Sequence, residues 1–262
     1  ASFFTAFDPQ LKITVREGKV FDAQDKRIRA VCALPEVEVF TETLEENAMV
    51  QYKDRQAMVV LKGVEDNFEE LTAIDSILYG AGEFVLHDSI VNYGVMGVEL
   101  VATLGTGLEF VDPLQVYLPK RNAKVNMANP GASFNRDYLY SPGVVFVVNQ
   151  QEYDGKYILT SLDFLRQLLD YTTEVSAMEL KLKSNVNTSS VQSKIENILG
   201  DDFVVQNRYQ QQADVFRIME IEKLISYLFL TFILMIACFN VIGSLSMLIL
   251  DKKDDVVTLR SL

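Results

Sequence analysis

His87 is the only histidine in the chain and stands beside Asp88. Such a pair activates a nucleophile only where a serine, threonine or cysteine lies in reach at a recognisable motif, and none occurs here. With one histidine, most catalytic triads and zinc sets within this chain are ruled out. Gly80-Ala81-Gly82 and Gly105-Thr106-Gly107 come nearest to a phosphate-cradling loop. Both lack the rest of the pattern and read as turns. Acidic residues cluster at Glu36, Glu38, Glu42, Glu45 and Glu46, and again at Glu65, Asp66, Glu69 and Glu70. A general-acid pair or a calcium site would use such groups, but no EF-hand spacing is present and they read as a solvated face. Cys32 and Cys238 are the only cysteines, and Cys238 sits in an apolar run, so no disulfide and no cysteine metal site are expected. Asn187-Thr188-Ser189 matches a glycosylation pattern. The sequence offers no catalytic residue, no cofactor motif and no metal site: the chain reads as not an enzyme.

The elements around these residues point elsewhere. From Leu224 to Leu250 run 27 residues without a charge. As a helix at 1.5 Å per residue this is about 40 Å, more than the ~30 Å hydrocarbon core of a bilayer. A core helix is seldom apolar on every face for so long, and the position excludes a signal peptide. The expectation is a transmembrane helix, in contact with membrane lipid. The net charge of −12 disfavours nucleic acid as a partner.

Ahead of this span, Leu11 to Phe21 alternates like a half-buried strand, and Asp22 to Leu34 has helical spacing that Pro35 stops. Val37 to Val50 and Ala57 to Val64 read as two strands of a hairpin around Lys53-Asp54-Arg55. Far downstream, Val175 to Lys183 alternates strictly, Asn187 can cap a helix running to Leu199, and Phe203-Val204-Val205 is a short strand. The order β-α-β-β, then β-α-β, predicts one α+β sheet domain of split βαβ type, made of residues 1–67 and 173–207. Residues 68–172 form an inserted β-rich subdomain. It contains a strand at Glu83–Leu86, a helical run Asp88–Leu104, strands Leu114–Leu118 and Val144–Val148, and a helix Ser161–Leu169. Within it Arg121–Tyr140 is polar, holds Pro130-Gly131 and lacks a helical period; a loop of that length is usually functional or disordered. Residues 208–223 contain no Gly or Pro and read as a stalk helix continuous with the span.

Ala237-Cys238-Phe239-Asn240-Val241-Ile242-Gly243-Ser244-Leu245, then Met247 and Asp251 to Leu262, resembles the second transmembrane helix of the lipoprotein-releasing ABC transporter permeases of LolC/LolE type, in the wider MacB/FtsX-like superfamily. Leu34-Pro35-Glu36-Val37 and Val60–Val64 are similar to further stretches of that family, in the same order. The resemblance implies a permease subunit of the bacterial inner membrane, with residues 1–223 in the periplasm. It also implies that this sequence is a piece of a longer protein, which its abrupt ends at Ala1 and Leu262 suggest too. The charges flanking the span nearly balance, so orientation comes from the resemblance.

By the same resemblance, residues 251–262 are a cytoplasmic coupling segment. Asp251, Lys252, Lys253, Asp254, Asp255, Val257, Leu259 and Arg260 there contact a cytoplasmic ATPase subunit. A second permease subunit is the membrane partner, with Asn240, Gly243, Ser244 and Ser246 as helix-packing positions. A loop holding Arg121, Asn122, Pro130, Gly131, Phe134 and Arg136 is the candidate site for a periplasmic lipoprotein carrier. The function implied couples ATP hydrolysis to periplasmic domain motion that releases lipoproteins. MacB-type efflux, FtsX-type regulation and a single-span receptor or adhesion ectodomain are the alternatives.

Overall fold

In the computed structural model, residues 7–120 and 133–260 are described. The chain falls into two units, Ala1–Gln211 and Gln212–Leu262.

Strand β1 (Leu11–Val15) and the short β2 (Phe21–Asp22) are followed by helix α1 (Lys26–Cys32). Asp25 caps α1 by accepting from the Arg27 amide, and the helix closes ahead of Pro35. Strands β3 (Val37–Tyr52) and β4 (Arg55–Val64) form a long hairpin. Lys53 takes φ 52° at its tip, a left-handed turn conformation. Next come α2 (Phe68–Leu71), a 3₁₀ turn (Ile74–Ile77), β5 (Leu78–Gly80), β6 (Val95–Met96) and α3 (Val98–Leu104). β7 (Leu114–Pro119), β8 (Phe134–Leu139), β9 (Val144–Phe146), α4 (Gln151–Asp154), β10 (Tyr157–Ser161) and α5 (Leu162–Leu169) follow. The chain continues with β11 (Glu174–Val175), β12 (Ala177–Leu182), α6 (Thr188–Leu199), β13 (Phe203–Asn207) and α7 (Arg208–Arg260).

The antiparallel order β13-β1-β12-β3 is that of a split βαβ unit. α1 and α6 cover one face: Ile28, Val31, Val191, Ile195 and Leu199 pack on Leu11, Ile13, Met178 and Leu180. Each such side chain contributes about 1.5–3 kcal/mol when fully buried. Beyond β3 the same sheet continues through β4, β10 and β6, while β7 pairs the far end of β3 and β8 pairs β7. A second apolar cluster, with Leu44, Val59, Leu61, Leu114, Val116, Leu165 and Leu168, gathers α3 and α5. The opposite face carries a third cluster around Phe7, Val64, Phe68, Phe146 and Leu159.

Helix α5 lies so close to the sheet that a Cβ at Gly63 would stand 3.1 Å from Leu162 Cα and from Leu165 Cβ. Gly63→Val therefore overpacks this interface. We expect a loss of about 1–3 kcal/mol, read as a lower thermal midpoint with secondary structure retained.

Several expectations are corrected. Glu83–Leu86 forms no strand, and of Asp88–Leu104 only Val98–Leu104 is helical. Asp88 instead accepts from the amides of Ile90 (2.6 Å) and Val91 (2.8 Å) and from the Tyr93 hydroxyl (2.7 Å), closing a turn where a helix was expected. The polar stretch 121–140 contains strand β8, with Asn135 and Asp137 on the inner side; Arg121, Asn122, Pro130 and Gly131 lie outside the described residues. Strand β10, parallel to β4, was not expected. The acidic clusters are not simply solvated: Glu42 is buried, and Glu45 and Glu65 are partly so.

Candidate functional site

A cleft of about 330 Å³ is lined by Val64, Glu65, Asp66, Asn67, His87, Ser161, Leu162, Asp163 and Arg166. The end of β4 supplies one wall. Glu65 Oε2 accepts from the Glu42 amide at 2.8 Å, and the Asn67 amide group donates to the Phe40 carbonyl at 2.8 Å. The start of α5 supplies the other wall, with Ser161 as its cap, accepting from the Phe164 amide at 3.2 Å. Arg166 is committed inward: Nη2 lies 2.8 Å from Glu42 Oε2, while Arg29 Nη2 holds Glu42 Oε1 at 2.9 Å. One buried carboxylate thus ties α1 to α5. Burial, and next to it the Glu42 charge, push the Glu65 carboxyl above the ordinary carboxylate range despite the opposing amide bond.

His87 turns its Nε2 to Asp66 Oδ1 at 2.9 Å, while Asp88 accepts from Ile90, Val91 and Tyr93. The Ser161 hydroxyl donates to Asn92 Oδ1 at 3.2 Å. In this cleft His87 Nε2 is engaged with Asp66 and the Ser161 hydroxyl with Asn92. Among the described residues no group of three His, Cys, Asp or Glu is placed to hold a metal ion.

Charges also lie inside the third cluster's face of the sheet. Lys62 Nζ is 2.6 Å from Glu179 Oε1 and 3.5 Å from Glu45 Oε1, and Lys12 reaches Glu45 at 3.6 Å. Glu179 is 0 % exposed and Lys62 3 %. Strand alternation assigns both to the polar side; α2, the 3₁₀ turn and α4 cover that side, so the polar residues are buried with their partners.

Toward the hairpin tip the same face is open. The registers place Met49 and Gln51 of β3 beside Gln56 and Met58 of β4. Tyr117 and Gln115 of β7 follow on this face, then Arg136 and Tyr138 of β8. Phe134 and Arg136 of the expected carrier site both lie here. The Arg136 guanidinium stands 5.3 Å from the Tyr138 ring centroid and 6.0 Å from that of Tyr117. None of these described residues is acidic, in a chain of net charge −12.

Lys223–Leu250 is long and apolar enough to cross a membrane. Within it Asn240, Gly243 and Ser244, at spacings of three and four, share one side, and all are exposed, as is Ser246. The residues from Asp251 to Arg260 continue α7.

No family model matches the chain. It is 21% identical over 232 residues to the lipoprotein-releasing system transmembrane protein LolE of Haemophilus influenzae, covering 87% of this chain and 53% of that protein. To LolC of the same system from Neisseria meningitidis serogroup B it is 25% identical over 169 residues, 64% of this chain and 39% of that one. The chain thus spans about half the length, or less, of the curated relatives it matches. In structure it is similar to the periplasmic region of MacB from Actinobacillus actinomycetemcomitans. The TM-score is 0.51 at 10% identity, over 80% of this chain and 94% of that one. The resemblance to lipoprotein-releasing permeases is borne out by these relatives, and the mixed α+β fold is that of a MacB-like periplasmic domain followed by an apolar helix able to cross a membrane.

Proposed function

We propose that this chain is the extracytoplasmic domain and following transmembrane helix of an ABC transporter permease that releases lipoproteins from the inner membrane. The observation that carries this reading is the combination, in one chain, of similarity to lipoprotein-releasing transmembrane proteins with an unbroken helix from Arg208 to Arg260. ATP is hydrolysed by a separate cytoplasmic subunit, and this chain does no covalent chemistry. Residues 1–223 lie in the periplasm, with 68–172 as a subdomain on the split core of 1–67 and 173–207. A helix without a linker transmits tilt or rotation, so nucleotide-driven movement at residues 251–262 reaches the periplasmic domain through residues 208–250. A second permease subunit packs on the side holding Asn240, Gly243 and Ser244. The open face toward the hairpin tip, which holds Phe134 and Arg136 and none of whose named residues is acidic, receives the periplasmic carrier.

The test is co-purification of the full-length protein from its own bacterium in mild detergent. The unaltered protein is expected to bring down an ABC ATPase. Val257→Asp, Leu259→Asp and Arg260→Glu together are expected to reduce the recovered ATPase at least about tenfold, with the permease still in the membrane. Undiminished recovery overturns the coupling segment; no ATPase with the unaltered protein overturns the permease reading.

A further inference from the structure

We infer that Gln192, Asn207 and Gln210 form an amide joint that fixes the first turn of α7 to the periplasmic domain and through which the proposed motion passes. The inference rests on the permease reading and names positioning residues within it.

β13 ends at Asn207 and α7 begins at Arg208, so strand passes into helix with no intervening residue. Asn207 and Gln210 cap this start reciprocally. Asn207 Oδ1 accepts from the Gln210 amide at 3.0 Å, and Gln210 Oε1 accepts from the Asn207 amide at 2.9 Å. This is the geometry of a capping box, which satisfies two backbone donors at once.

Gln192, on α6, locks the box to the domain. Its side-chain NH₂ is 2.9 Å from the Val205 carbonyl and 2.9 Å from Gln210 Oε1, and its Oε1 accepts from Asn207 Nδ2 at 3.1 Å. One side chain therefore touches the last strand, the cap and the first helical turn. Gln192 is only 8 % exposed and follows Val191 on the helix that packs against β1 and β12. An apolar residue would fill the same space; the amide adds direction, because hydrogen bonds fix angles that dispersion contacts leave free.

Two more bonds hold the first turn to residues just ahead of β1, the strand that pairs with β13. Arg208 Nε donates to the Asp8 carbonyl at 3.0 Å, and Gln211 Nε2 to the Pro9 carbonyl at 3.2 Å. The Gln192 side-chain NH₂ also reaches Glu196 Oε1, one turn on along α6, at 3.2 Å. Glycine or proline at the joint would bend or loosen it; residues 203–211 contain neither.

The variants separate capping from locking. Gln192→Leu keeps volume and removes every bond from this side chain. Asn207→Asp keeps the oxygen that accepts the Gln210 amide but loses the donor to Gln192. Asn207→Ala loses both. Each is made in the full-length protein with its ATPase, in vesicles carrying a purified bacterial lipoprotein. For Gln192→Leu and Asn207→Asp we expect lipoprotein released per ATP hydrolysed to fall about tenfold, with ATPase rate and thermal midpoint close to those of the unaltered complex. Asn207→Ala is expected to lower the midpoint as well. Release per ATP unchanged in both locking variants overturns the joint.

A second measurement does not need the ATPase. Nitroxides at Ser193→Cys and Tyr209→Cys, with Cys32→Ala and Cys238→Ala, are expected to give a narrow distance distribution that broadens with Gln192→Leu or Asn207→Asp. A distribution that stays narrow overturns the joint. An unaltered complex that releases no lipoprotein with ATP overturns the permease reading, and the distance measurement still decides the joint on its own.

Discussion

Glu179→Ala is expected to cost about 3–5 kcal/mol of stability, the range for removing one partner of a buried ion pair. Glu179 Oε1 accepts from Lys62 Nζ at 2.6 Å and from the Thr43 hydroxyl at 3.4 Å, while its Oε2 is buried without a hydrogen-bond partner among the described residues. Removing the carboxylate leaves the Lys62 ammonium in the interior, 5.6 Å from the Phe68 ring centroid, with only the longer contact to Glu45. For a domain of this size the midpoint falls by roughly 10 °C, at about 2–4 °C per kcal/mol. Thermal unfolding in detergent measures it. Lys62→Met together with Glu179→Leu is expected to recover most of the loss, because no buried charge is then orphaned and Glu45 keeps Lys12. A double variant as unstable as Glu179→Ala alone sinks this account.

The same cluster sets a pH window. Burial raises the Glu45 carboxyl, but Lys12 and Lys62 outweigh it and bring it down to about 2. Its folded value is below its unfolded one, so its contribution is present above the unfolded carboxylate range and is lost as pH falls toward 2. Lys62 is the mirror case. Burial lowers it, yet Glu179 and then Glu45 prevail and hold it above the ordinary lysine value. Its contribution is present below the unfolded lysine range and lost as pH rises through the folded value. Stability from this cluster is therefore flat across neutral pH and falls at both extremes.

Sequence and structure agree where one face of an element is wet. β1 and β12 show period two, α6 starts where Asn187 accepts from the Ser189 and Ser190 amides, and α7 shows its apolar run plainly. They part where a local signal yields to a distant partner. Gly97 falls inside the expected helical run 88–104, yet a Cβ there would overlap the Asp154 carbonyl oxygen: the glycine admits a backbone that is distant in sequence. Its neighbours Val95 and Met96 pair with β10 accordingly. β8 reads FNRDYL and looks like a loop because its inward residues, Asn135 and Asp137, are polar; Asn135 donates to the Leu168 carbonyl at 2.6 Å. Lys62 and Glu179 obey the alternation of their strands, but which face water covers depends on what packs there, and the two partners themselves stand 117 positions apart. The cleft shares this origin: its walls come from β4, His87 and α5, and the parallel β4–β10 pairing brings the end of β4 beside the start of α5.

Two arginines at the centre of the span are expected to remove the chain from the membrane where one does not. Leu224–Leu250 holds 16 Leu, Ile, Phe and Val residues. At about −0.3 to −0.6 kcal/mol each near the bilayer centre, these supply roughly −5 to −10 kcal/mol as an upper bound, since those near the ends count for less. The serines, Thr231 and Asn240 reduce that sum. A central arginine costs about 2.5–3.5 kcal/mol and also forfeits the residue it replaces. Ile236→Arg thus leaves insertion favourable, whereas Ile233→Arg with Ile236→Arg costs about 6–8 kcal/mol, the two lost isoleucines included, and exceeds what the serines, Thr231 and Asn240 leave of the driving force. Ile233 and Ile236 are 63 % and 49 % exposed, so neither is packed inside the chain and the loss is one of solvent environment. The measurement is the fraction of chain 1–262, given a cleavable export signal, that stays in membranes after an alkaline carbonate wash. Retention of the double variant would mean that other contacts hold the chain to the membrane. Release of the single variant would mean that Asn240 and the serines cost more than the apolar residues can spare, and that this helix enters lipid only against a partner helix.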